Sequence, residues 1–290
     1  MTLKKTASST KLKTLVNAGK TPSRVLNSVE RWLLVQPEDT SRSTVVIHPS
    51  AMIKDDWCHR AQYFWLAGEY PGPQNLTMKQ HMIFGLGHDI HNRWQGWFAD
   101  MGRMYGTWQC VECKYKWEAV SADVDKCPAC SSVKGIQYRE VPVYSKDHRI
   151  SGHADGWLKN FGEDLLLEIK SIGDGSIRWE DPGMWYESGQ DFNKAWASIK
   201  APFYSHIMQA QVYMKLLELM DPDNHPKEAV FIYENKLNQQ VKEFVVAKSD
   251  FGIMHLFEQA AMIVARLETG EPPSCNINPA GTCKKCEMYK

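Results

Sequence analysis

The densest chemistry in the chain lies in Gly152-His153-Ala154-Asp155, followed after twelve residues by Glu168-Ile169-Lys170. Side chains alternate along a strand, so Glu168 and Lys170 share one face while Leu167 and Ile169 take the other. An acid and a lysine two apart on an otherwise apolar strand are costly to bury unless something uses them. Gly162 marks a turn between the two segments, so the pairing can bring Asp155 beside Glu168. Two adjacent carboxylates repel each other, and a divalent cation removes that conflict. Mg²⁺ or Mn²⁺ held by one or two carboxylates keeps open positions for water and phosphate oxygens. It acidifies the water and clamps the phosphate, while Lys170 can orient the water or neutralise developing charge. The plain alternative is a structural ion pair across a hairpin.

Two further groups fit that chemistry. In Gly87-His88-Asp89-Ile90-His91, Gly87 lies one turn before His91 and lets the helix approach a sheet there. An imidazole added to two carboxylates suits Mn²⁺ better than Mg²⁺; His88, on a neighbouring face, is a rival ligand. In Gln209-Ala210-Gln211-Val212-Tyr213, helical spacing puts Gln209 and Tyr213 together. They can hold nucleic acid or fix Lys170, or form a satisfied buried pair.

The eight cysteines divide into two sets of four. Cys110-x2-Cys113 and Cys127-x2-Cys130 lie 13 residues apart. Each knuckle turns two thiolates toward one ion, and two knuckles complete a tetrahedron, the pattern of a structural zinc ribbon. A lobe this small has little core of its own. Trp108, Lys114, Lys116, Trp117 and Lys126 also make DNA contact by the ribbon conceivable. Cys58 stands alone upstream, and Cys275-x7-Cys283-x2-Cys286 closes the sequence. Four thiolates suit a 4Fe–4S cluster, a second zinc or unrelated thiols, and spacing does not separate these.

These groups require elements to hold them. A helix is expected over 25–35. Another should open at His48-Pro49-Ser50, capped by Ser50, and run through DDWCHRAQYFW. Residues 77–98 read as an amphipathic helix with Met78, Met82, Ile83, Leu86, Ile90, Trp94 and Trp97 on one face. Strands are expected at 139–145, 152–158 and 164–172, and an irregular stretch at 173–200. A helix follows from Pro202 to about Met220, then a hairpin of 229–235 and 241–247. The last helix is capped by Ser249 or Asp250 and ended by Gly270. Residues 107–135 look inserted, and their removal is expected to spare the chemistry.

The chain of 290 residues has room for one large domain with an insertion or for two modest ones. Its net charge is zero, so a track for nucleic acid must be local. Residues 1–24 hold six Lys/Arg and no acid, a solvated tail or a DNA-contacting arm. No apolar run is long enough for a membrane span, and no secretory signal opens the chain. The reading is a cytoplasmic protein, in which cysteines bind metals before they form disulfides.

In this order, the helix with Gly-x3-His, the Gly-x-x-Asp strand, the Glu-x-Lys strand and the Gln-x3-Tyr helix resemble the RecB-like PD-(D/E)XK nucleases. The resemblance covers about 48–290 outside the insertion. It implies an α/β, restriction-endonuclease-like core with a mixed central sheet flanked by helices. It implies His91, Asp155 and Glu168 as Mg²⁺ or Mn²⁺ ligands, Lys170 as the catalytic lysine, and Gln209 and Tyr213 as accessory groups. Cys58 with the C-terminal trio resembles the iron–sulfur subset of that family, including the CRISPR-associated exonucleases of the fourth Cas family. On that likeness Cys58, Cys275, Cys283 and Cys286 hold a 4Fe–4S cluster; His59 stands where that family has proline in its Cys-Pro-Arg motif. The expected organisation is a basic tail and short helix over 1–47, a nuclease domain over 48–290 interrupted by the zinc ribbon at 107–135, and a cluster-binding segment at 271–290. The expected activity is exonucleolytic, on DNA ends, in recombination, repair or phage DNA metabolism. Single-stranded DNA is the favoured substrate, protein partners are open, and no nucleotide-binding P-loop is present. The alternatives are an endonuclease or CRISPR-adaptation trimming nuclease, and a non-enzymatic DNA-binding factor that reads through the ribbon.

Overall fold

The computed structural model describes residues 24–36, 43–70, 72 and 76–276. The basic stretch before residue 24, Cys283 and Cys286 lie outside them. The chain divides into two compact units. One, Met1–Ser41 with Gly72–Gly85, carries helix α1 (Arg24–Leu34) and the opening turns of a long helix. The other, Arg42–Pro71 with Leu86–Lys290, contains the sheets and every group considered below.

That unit begins with α2 (Pro49–Met52) and α3 (His59–Leu66). They are two short helices where one was expected. His48, not Ser50, takes the N-cap position of α2, with Pro49 in the first turn. Cys58 then caps α3, its Sγ accepting from the Ala61 N–H at 3.4 Å. The break falls at Lys54-Asp55-Asp56, a polar, exposed run that offers no apolar face to bury.

Helix α4 (Met78–Asp100) leads into β1 (Met104–Cys110), β2 (Lys116–Val120), β3 (Ile136–Tyr138), β4 (Val141–Ser145), β5 (Ile150–Ala154), β6 (Gly156–Phe161) and β7 (Glu163–Ile172). The strands form a seven-stranded mixed sheet of order β2-β1-β6-β7, continued by β8 (Glu228–Asn235) and β9 (Val241–Ala247), with β3 also paired to β1. β4 and β5 form a separate two-stranded ladder. The pair β7–β8 is parallel, and the sheet's other pairings are antiparallel. β7 and β8 are central and buried, which matches their near-continuous apolar runs. β9 alternates between exposed and half-buried residues, as an edge strand does.

Residues 173–200 are not irregular. They fold as α5 (Asp174–Glu180), α6 (Pro182–Glu187) and α7 (Phe192–Ser198). Asp181 accepts from the Met184 N–H at 2.8 Å and Asp191 from the Lys194 N–H at 3.0 Å, so α6 and α7 begin on side-chain caps. Helix α8 (Tyr204–Met220) follows, and α9 (Met254–Thr269) ends at Gly270 in the left-handed conformation, φ 72°.

Two apolar layers cover the sheet. Leu166, Ile172, Phe231 and Tyr233 join Val212, Tyr213 and Leu216 of α8 in the larger core. Leu167, Ile169, Val230 and Ile232 pack with Ile90 and Met104 in the smaller one. Among the described residues no helix is long and apolar enough to cross a membrane. The expected apolar face of α4 is only partly used: Ile90 is buried, whereas Leu86 and Trp97 are exposed.

Candidate active site and metal centres

Alternation along β7 sends Leu167 and Ile169 into the α4 layer and turns Glu168 and Lys170 toward α8. Glu168 is buried, 1% exposed, between β6 and β8. Its Oε2 lies 2.7 Å from Lys170 Nζ, while its Oε1 has no hydrogen-bond partner. Burial is the main force on this carboxyl. Lys170 opposes it and Asp155 adds to it, and the net result is a pKa pushed up to about 7.

Asp155 follows β5 and precedes β6, between the two ladders. Its Oδ1 is 3.2 Å from His91 Nδ1 and its Oδ2 accepts from the Ile169 N–H at 2.6 Å. Burial would raise this carboxyl, but His91, Lys170 and the Ile169 N–H outweigh it and hold it below the usual range. The reciprocal holds at His91, where burial lowers the imidazole and Asp155 more than restores it, leaving a net rise. Gly87, one turn earlier, faces β7, but a close approach does not depend on it: a Cβ there would make an ordinary contact of 3.5 Å with Ser171 Oγ. His88 is exposed.

Lys170 also donates to Gln209 Oε1 at 3.0 Å, and Gln209 Nε2 donates to the Tyr213 hydroxyl at 2.8 Å. The phenol thus fixes the amide with its oxygen toward the ammonium. Burial of Lys170 disfavours its charge, but Glu168 and Asp155 reverse this and raise its pKa. Gly152 belongs to the same packing, since a Cβ there would come within 3.3 Å of Tyr213 Cε1 and 3.1 Å of Pro49 Cδ. The structure therefore gathers His91, Asp155, Glu168, Lys170, Gln209 and Tyr213 into one connected group.

A cleft of about 370 Å³ opens on this group, lined by His91, Lys170, Ser176, Trp179, Glu180 and His206. Trp179, at its side, is 81% exposed. His206 is held neutral, chiefly by burial and further by Lys170, and its Nδ1 meets the Tyr233 hydroxyl. Sequence spacing missed Gln95, Tyr138, Trp179 and His206. Gln95 alone had a local signal, lying four residues past His91 on the same helix face. It donates to the Asp155 carbonyl at 2.8 Å.

The donor set of His91, Asp155 and Glu168 suits a hard divalent cation: a buried carboxylate with a partnerless oxygen, a half-buried carboxylate and an imidazole. Among the described residues, only Cys110, Cys113, Cys127 and Cys130 have ligand atoms all within 4.8 Å of one another, and they could hold a metal ion. Each knuckle closes locally. The Lys114 N–H donates to the Cys110 carbonyl and the Ser131 N–H to the Cys127 carbonyl, both at 2.9 Å. Lys114 and Ser131 adopt left-handed φ of 63° and 60° to do so.

Cys58 is buried and Cys275 half-buried. The segment carrying Cys275 is seated against the Cys58 turn by Asn276. Asn276 accepts from the His59 N–H and donates to the Trp57 carbonyl, both at 2.9 Å. Arg60 donates to the Pro273 carbonyl at 3.3 Å. The described part of the C-terminal coil, up to Asn276, is thus anchored by hydrogen bonds of its own, which its composition did not indicate.

No family model matches the chain, and no curated protein matches it. Solved structures give distant likenesses. An alkaline exonuclease from Laribacter hongkongensis, LHK-Exo, is 12% identical with a TM-score of 0.44, over 79% of this chain and 90% of that one. The same enzyme in complex with dAMP gives 13% and 0.42 over the same shares. SSO0001 gives 10% and 0.37 over 92% of this chain and 96% of that one.

Proposed function

We propose that the chain is a metal-dependent deoxyribonuclease acting exonucleolytically on DNA ends. The observation that carries this reading is the Glu168 carboxylate, buried with one partnerless oxygen beside Asp155 and tied through the other to Lys170. An unsatisfied buried acceptor costs about 1–3 kcal/mol, a cost that a bound cation would remove. His91, Asp155 and Glu168 would hold Mg²⁺ or Mn²⁺, which supplies an acidified water and neutralises phosphate charge.

The chain's own residues supply the rest. Lys170, held by Gln209, presents a fixed ammonium at the cleft, where it can orient a water or stabilise charge on a phosphoryl oxygen. Tyr213 keeps the Gln209 oxygen on that ammonium. Asp155, kept ionised, holds His91 and the backbone of β7 together. The preference for ends and for single strands rests on the motif order shared with RecB-like nucleases. Those shared motifs also support a cluster at Cys58, Cys275, Cys283 and Cys286. At Cys110, Cys113, Cys127 and Cys130 zinc is the favoured ion: Sγ pairs stand 3.7 and 3.6 Å apart, near the ~3.8 Å edge of a tetrahedron with ~2.3 Å Zn–S bonds.

A time course on 5′- and 3′-labelled single- and double-stranded DNA, with Mg²⁺, Mn²⁺ or chelator, tests the reading. Metal-dependent release of mononucleotides or short oligonucleotides is expected from linear DNA and not from a covalently closed circle. Cleavage of the circle would favour the endonuclease alternative, and binding without cleavage would favour the ribbon-based binding factor.

A further inference from the structure

The strand that leaves the four-cysteine hairpin reaches the carboxylate centre. β3 pairs with β1 through Cys110↔Ile136, Gln109↔Gln137 and Trp108↔Tyr138. Tyr138 therefore sits two register steps from a cysteine of the hairpin. Its ring meets Trp108 edge-on, centroids 5.3 Å apart. Its hydroxyl points at two carbonyls, those of Tyr105 and Asp155, each at 3.3 Å.

Asp155 lies where the chain passes from one ladder to the next, so its carbonyl depends on side chains. Gln95 donates to it from α4 and Tyr138 from β3. Glu140, just past β3, is half-buried, and burial raises its carboxyl with Asp155 adding to the rise. The chain bends there in the left-handed conformation, φ 62°. The Thr107 N–H donates to its carbonyl at 3.0 Å and fixes the bend.

Space for the phenol is made by one residue. A Cβ at Gly106 of β1 would lie 2.7 Å from both the hydroxyl and Cε2 of Tyr138. No ring so held could keep its place, and a displaced hydroxyl would leave the Asp155 carbonyl.

We infer that Tyr138 is a positioning residue of the catalytic centre, the contact through which a metal-ordered four-cysteine hairpin fixes the Asp155 peptide. With that peptide fixed, the Asp155 carboxylate meets His91 and the Ile169 N–H together. The inference rests on the reading of His91, Asp155 and Glu168 as a divalent-cation site. Partners that orient metal ligands from outside the ligand set commonly change affinity by roughly 10–100-fold when lost.

The test is calorimetric titration of Mn²⁺ into full-length wild-type, Tyr138→Phe and Gly106→Ala proteins, with steady-state cleavage of a labelled oligonucleotide alongside. Both variants should keep the metal at the four cysteines; Tyr138→Phe should keep its melting temperature, while Gly106→Ala, which displaces the ring, should melt lower. Both should bind Mn²⁺ roughly tenfold more weakly, with kcat reduced at saturating DNA and low Mn²⁺, KM for DNA unchanged, and kcat restored by excess Mn²⁺. A Cys113→Ser/Cys130→Ser protein, altered at the two exposed cysteines, should lose the hairpin ion and show the same weakening. Wild-type Mn²⁺ affinity in Tyr138→Phe and Gly106→Ala would overturn the inference, and wild-type affinity in the cysteine variant would overturn the link to the hairpin. A wild-type protein that binds no Mn²⁺ is a separate result, because it overturns the reading of the carboxylate centre itself.

Discussion

Lys170 and Glu168 restrain each other inside the fold, and each charge is tolerable because the other is present. Replacing Lys170 by Met should lower the cleavage rate by at least about 100-fold, with the circular dichroism spectrum unchanged and oligonucleotide binding retained. A variant that keeps most of its rate would remove Lys170 from the chemistry. The raised Glu168 carboxyl sets a pH dependence. Its ordinary value is 4.5 and its folded value about 7, so the folded, metal-free chain holds a proton that the unfolded chain releases between them. This group's contribution to metal-free stability therefore falls as pH rises from about 4.5 to 7. A cation must displace the same proton, so Mn²⁺ affinity should climb as pH rises through about 7. Titrations across that range with constant affinity would contradict a ligand role for Glu168. These residues were legible because chemistry forced unusual types into a strand with period two. Tyr138 was not, since its role depends on a register between β1 and β3 that no spacing encodes.

At the scale of elements, α4 must be held firmly for His91 to reach Asp155. Glu234 of β8, 3% exposed, accepts from Trp94 Nε1 at 2.7 Å and pairs with Arg93. Glu234→Ala should cost roughly 1–3 kcal/mol in chemical denaturation and weaken Mn²⁺ binding in parallel; an unchanged midpoint would show that α4 is held by its apolar contacts alone. The long helices and the β7, β8 and β9 strands could be read from periodicity. The three short helices after β7 could not, because seven residues or fewer give too little period to see. The real signals of α6 and α7 were the caps Asp181 and Asp191. The first of the three, α5, carries Trp179 to the side of the cleft. On the proposed function, a flat indole exposed beside the Lys170 cleft is a stacking surface for an unpaired base, worth ~1–3 kcal/mol. Trp179→Ala should therefore raise KM for single-stranded oligonucleotides by roughly 10-fold or more with kcat preserved. Equal KM values would place the strand elsewhere.

Across the whole molecule, residues far apart in sequence close the structure twice. Asn276 seats the C-terminal segment on the Trp57–His59 turn, so Asn276→Ala should lower stability by about 1–2 kcal/mol. The check is thermal melting beside Cys58→Ala: if Asn276→Ala melts like wild type, contacts other than those of Asn276, such as Arg60 to Pro273, hold that segment. The second closure is the parallel pair β7–β8, whose strands are joined through residues 173–227. That excursion contains α5 to α8, and so Trp179, His206, Gln209 and Tyr213, while Glu168 and Lys170 lie on the strand before it. Non-local parallel pairing forms slowly, because the loop must close before any contact rewards it. The lysine and the amide that aims it meet only once α8 has folded back onto β7 within this excursion. A newly made chain passes through its partly folded states with the residues of the candidate site still in separate pieces, and on the proposed function the order of assembly itself withholds the cutting of DNA until the fold is whole.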